Sequence, residues 1–60
     1  MDNRDGMILS LIDSGKSLRE IIEEGNYNLK AYIFKNLDEI TKMIIVWRKF
    51  NADQMLRTIQ

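Results

Sequence analysis

Sixty residues without a cysteine or a histidine exclude disulfide staples, thiolate and imidazole metal sites and every histidine-based catalytic device together. A chain this short forms one domain, residues 1–60, and buries only about 60% of the surface its unfolded form exposes, so its core is thin. Nine basic and nine acidic residues cancel, which removes the bulk attraction to phosphate that nucleic-acid binding draws on. The balance is uneven along the chain: residues 1–24 hold six acids and three bases, residues 25–60 six bases and three acids.

There is no proline, and Gly6, Gly15 and Gly25 read as punctuation between helices. The expected fold is all-α: a small domain of three to five helices with a helix-turn-helix-like portion and one long helix in the C-terminal half. A first helix is expected over Asp5–Ser14, with Met7, Ile8, Leu11 and Ile12 on one face and Gly15 ending it in the left-handed conformation. Ser17 and Glu20 then form a capping box, in which each side chain satisfies an orphaned N–H of the other residue. Asn36 with Glu39 and Asn51 with Gln54 repeat that spacing. After the second helix, Gly25 marks a turn through Asn26-Tyr27-Asn28, with Asn28 expected as the next N-cap.

Leu29, Ile33, Leu37, Ile40, Ile44 and Trp47 advance by three or four residues, which is one stripe on one helix. The expectation is a single helix over Leu29–Phe50, preferred to a version bent at Asn36. A last helix, Ala52–Ile59, folds back over it with Ala52, Met55, Leu56 and Ile59 inward. The longest apolar run, Met43 to Trp47, falls far short of the roughly 18 residues of a membrane span. A soluble, cytoplasmic protein that uses no cofactor or metal and binds no membrane is expected.

The segment Gly15-Lys16-Ser17-Leu18-Arg19-Glu20-Ile21-Ile22 resembles the first helix of the helix-turn-helix domains of resolvases and related small regulators. The resemblance covers residues 15–40. It departs at Ile22, where that family usually has alanine, and at Glu24, where an apolar residue precedes the turn glycine. It implies that Asn28, Lys30, Ala31 and Lys35, early in the second helix of the motif, face base edges and phosphates of duplex DNA.

Other candidates come from the residues themselves. Lys35, Lys42 and Lys49 recur every seven residues, and the reading preferred over a phosphate-tracking ridge is a solvated back face with Lys35–Glu39 and Asp38–Lys42 pairs. Trp47 continues the apolar stripe and is expected to close the core. Tyr32, Met43, Val46 and Phe50 form a flank beside that stripe, and Phe34 and Ile45 lie on the other side. So wide an apolar arc exceeds what two short helices cover, so Tyr32, Met43, Val46, Trp47, Arg48 and Phe50 are the expected partner-binding residues. No catalytic residue is recognised: no carboxylate pair stands in an acid-base arrangement, and Gly15-Lys16-Ser17 fails as a phosphate loop because position 10 is Ser10. The resulting expectation is a non-enzymatic regulator that binds a larger protein, of the kind phages and mobile elements carry to inhibit or redirect a recombinase, polymerase or nuclease. The alternative is a dimeric helix-turn-helix transcriptional regulator that binds DNA.

Overall fold

The computed structural model describes residues 2–59, with side chains through Gln54. Four helices follow in order: α1 (Asn3–Asp13), α2 (Leu18–Glu24), α3 (Tyr27–Lys35) and α4 (Leu37–Ile59), and there is no strand among the described residues.

Local chemistry sets most of the boundaries. Helix α1 begins two residues before the expected start because the Asp2 carboxylate accepts the Arg4 backbone N–H at 2.8 Å. Gly6 lies inside α1 and does not punctuate between helices. At its far end, Lys16 N–H donates to Leu11 O and Gly15 N–H to Ile12 O, each at 3.0 Å, with Gly15 at φ +103°. This is the Schellman closure, in which a left-handed residue lets the chain satisfy the last carbonyls. The Ser17–Glu20 capping box forms as expected and starts α2.

The turn into α3 is shorter than expected. Asn26, not Asn28, is the N-cap, its Oδ1 accepting Leu29 N–H at 2.9 Å. Gly25 serves here by its size: its φ is −71°, but a Cβ would stand 2.8 Å from Ile21 O and 3.1 Å from Leu29 Cδ2.

Two expectations about the C-terminal half fail. The helix does not run unbroken from Leu29 to Phe50: it breaks at Asn36, whose φ of −121° leaves the helical region. Asn36 is not the N-cap of a box with Glu39. Its amide Nδ2 donates backwards to Tyr32 O at 2.9 Å, a second bond to a carbonyl at the end of α3 that also accepts the Asn36 backbone N–H at 3.1 Å. Nor does a separate helix start at Asn51, because α4 passes through that position to Ile59. The expected inward packing of Met55, Leu56 and Ile59 lies outside the described side chains, and Ala52 is exposed.

The break closes the core. Ile8 and Ile12 of α1, Ile21 of α2, Leu29 and Ile33 of α3, and Ile40 and Ile44 of α4 form one buried cluster. A straight rod would set Ile33 and Ile40 along one line. Bending at Asn36 turns both onto α1, where they and Ile8 are no more than 2% exposed. The cost falls on Leu37, the stripe residue at the bend, which is left 40% exposed. Met7 also leaves the expected α1 face and is exposed, while Leu9 and Leu11 pack against the cluster from its flanks.

The molecule extends 43 × 19 × 17 Å, and the 23 residues of α4 supply about 34 Å of that length at 1.5 Å per residue. Gly25→Ala is expected to lower stability by about 1–3 kcal/mol, since the added methyl must displace backbone; urea denaturation followed by far-UV circular dichroism measures it.

Candidate functional site

Two surfaces gather the residues that the sequence singles out. The first lies between the start of α1 and α3. Asn28, Ala31 and Lys35 recur on one face of α3 and line a shallow groove with Arg4, Tyr27, Tyr32 and Asn36. Lys30 is not among the lining residues, so three of the four expected DNA-facing positions come together.

Arg4 organises this surface. Its Nε and Nη2 donate to the two Asp2 carboxylate oxygens at 3.0 and 2.9 Å, and its Nη1 donates to Asn28 Oδ1 at 3.1 Å. The guanidinium carbon also stands 3.9 Å from the centre of the Tyr32 ring, within cation–π range. Tyr32 in turn donates its hydroxyl to Asp5 Oδ1 at 2.6 Å. Hydrogen bonds from Arg4 hold the Asp2 carboxyl down at about 2, and the bond to Asp5 pushes the Tyr32 phenol up to about 12. The amide oxygen of Asn28 is thus already engaged, and two carboxylates offset the positive charge of Arg4.

The second surface runs along α4. Met43, Val46, Trp47 and Phe50, with Leu9 of α1, line an apolar groove whose rim is formed by Glu39 and Lys42. Met43 and Trp47 are partly buried against the core, whereas Val46 is 67% and Phe50 60% exposed. Trp47 has both roles considered for it: it packs on the core and presents an edge to the groove. Trp47 also borders a second cleft, lined by Gly6, Leu9, Ser10, Asp13, Arg48, Asn51 and Ala52.

The six expected partner-binding residues therefore divide. Four share the α4 groove, Arg48 borders the neighbouring cleft, and Tyr32 belongs to the α1–α3 surface. Tyr32 separates because the bend at Asn36 takes α3 out of line with α4. On the opposite flank of α4, Ile45 is 60% exposed, as is Phe34 of α3 to a similar degree. The Lys35–Glu39 and Asp38–Lys42 pairs are not formed: among the described residues the ion pairs are Asp2–Arg4 and Lys16–Glu24. Asn36 interrupts the helix between Lys35 and Glu39, removing the i, i+4 geometry for the first.

Three contributors had no assigned role in the sequence reading. Leu9 completes the α4 groove, and Asp2 and Asp5 brace Arg4 and Tyr32. The Asp2-x-Arg4 spacing ahead of an apolar-periodic segment was a usable N-cap signal. The Asp5–Tyr32 contact spans 27 residues and had no local signal.

Among the described residues no group of three or more acidic side chains could hold a metal ion, and no helix is long and apolar enough to cross a membrane. No protein-family model matches the chain, and neither the curated proteins nor the solved structures provide a match.

The Tyr32–Asp5 bond makes stability depend on alkali. A phenol raised in the folded state contributes stability that is complete below the unfolded tyrosine value of about 10 and is lost as pH rises through about 12. In a Tyr27→Phe background, which leaves Tyr32 as the single phenol, absorbance titration is expected to show ionisation near pH 12. Adding Asp5→Asn should move that ionisation to lower pH.

Proposed function

We propose that this chain is a non-enzymatic regulator that acts by docking on a larger protein through the α4 groove. The observation that carries this reading is the continuous apolar lining of Leu9, Met43, Val46, Trp47 and Phe50, with its two most prominent members left largely exposed. A chain of 60 residues has little apolar surface to spare for its own core, and placing valine and phenylalanine outside it fits a surface kept for contact.

Magnitudes define what such a contact requires. Full burial of a valine or phenylalanine side chain contributes about 1.5–3 kcal/mol, so the exposed parts of Val46 and Phe50 offer about 2–4 kcal/mol together. Association costs about 4 kcal/mol or more in lost freedom. A partner therefore has to fill the groove, engaging Met43, the Trp47 edge and Leu9 as well. Aromatic residues in such a groove are the usual energetic centres of an interface. The mechanism is stoichiometric: the chain shifts its partner between states by binding one of them more tightly. A recombinase, polymerase or nuclease is the class of target proposed.

The DNA-reading alternative draws less support, since Asn28 is held by Arg4 and the acids Asp2 and Asp5 stand at the same edge of α3. It predicts binding to duplex DNA that weakens steeply with salt, and no binding at low salt would sink it. For the docking reading, a photo-crosslinking residue at position 50 is expected to trap one defined protein in host cells. The same residue at Thr41 on the other side of α4 should trap none, and Val46→Glu should abolish the crosslink while leaving the far-UV helical signal intact. Equal crosslinking from both positions would count against the groove.

A further inference from the structure

The exposed edge of α4 carries charges in an order that selects a particular neighbour. At 100° per residue, Phe50 and Met43 lie about 40–60° to one side of Val46, while Lys42, Lys49 and Asp53 lie about 20–60° to the other. Lys42, Lys49 and Asp53 are all exposed. Among the described residues neither Lys42 nor Asp53 forms an ion pair within its own chain. The apolar row and the charged row thus run side by side down the outer face of one long helix.

We infer that this face pairs with α4 of a second copy of the chain, antiparallel, about a two-fold axis between Trp47 and Arg48. In that register Lys42 stands beside Asp53 of the second copy, and Asp53 beside Lys42 of the second copy. Val46 meets the Phe50 ring of the second copy, and both contacts occur twice. The parallel arrangement loses this complementarity, because a two-fold axis along the helices lays the charged row of each against the apolar row of the other, so that Lys49 and Asp53 stand beside Phe50 instead of an opposite charge. Lys49, close to the axis, keeps its ammonium in water by extending its stem along the neighbouring helix. Two-fold pairing also suits the shape of the molecule, since α4 offers its long dimension to an equal length of helix.

The inference rests on the docking reading for the regulation it implies: the second copy occupies the groove that the larger partner needs, so the partner competes with self-association. A chain at low concentration is then the active form.

Sedimentation equilibrium of the full chain, at protein concentrations up to about 1 mM, tests the pairing without any partner present. A monomer–dimer equilibrium is expected. Val46→Glu should weaken it at least about tenfold, with circular dichroism confirming that the helices remain. Lys42→Glu and Asp53→Lys should each weaken it, in a manner reduced by added salt, and the two together should restore it because both ion pairs re-form with exchanged signs. Monomer at all concentrations overturns the inference, as does a dimer indifferent to Val46→Glu or a double variant no tighter than the single ones. The photo-crosslink at position 50 decides the docking reading separately: a dimer that traps no larger protein leaves the pairing standing and the docking reading overturned.

Discussion

The structure depends on one interruption of the backbone. Without the break at Asn36, the apolar residues of the C-terminal half would lie along a single rod, able to cover α1 with only one of its ends. With it, Leu29 and Ile33 approach from α3 and Ile40 and Ile44 from α4, and a core of six isoleucines and one leucine closes around α1. Asn36 stabilises the break itself by donating both its backbone N–H and its side-chain amide to Tyr32 O, at 3.1 and 2.9 Å.

That geometry also divides the surface chemistry. On the α3 side, Arg4 joins Asp2, Asn28 and Tyr32, and Tyr32 joins Asp5, so the start of α1 is tied to α3 by polar contacts beside the apolar cluster on which Tyr32 packs. The one ion pair among these contacts, Asp2–Arg4, is exposed and local, and such a pair contributes little stability. The bonds from Arg4 to Asn28 and from Tyr32 to Asp5 are positional: they set α1 against α3 and leave the Asn28 amide oxygen engaged.

On the α4 side, the helix is longer than the core it covers. The core side of α4 reaches Ile40, Ile44 and Trp47, and Val46 and Phe50 sit about a quarter-turn or more away from that direction, where no other helix of the chain covers them. The groove they form with Leu9, Met43 and the Trp47 edge follows from this mismatch of length. Both proposed uses of the face, docking on a larger protein and pairing with a second copy, address the same exposed apolar area.

Much of the fold was legible in the sequence, because its determinants are local. The Gly15 closure, the Ser17–Glu20 box and the helical periodicity of Ile8 and Ile12, Leu29 and Ile33, and Ile40 and Ile44 each act within a turn or two of helix. The spacing fails where one local pattern occurs in different helical settings. Asn36 and Asn51 both stand three residues before Glu or Gln, yet Asn36 ends α3 and Asn51 lies within α4. Only the tertiary structure decides between these outcomes, since bending at Asn36 buries Ile33 and Ile40 together, whereas Asn51 lies near the end of the α1 contact, where a bend would gain no comparable burial. The same holds for the candidate site. The sequence by itself determined that more apolar residues lie on the C-terminal half than one helix face can bury. Which of them remain outside, Val46 and Phe50 rather than Tyr32, was decided by the packing of α1 against both sides of the bend.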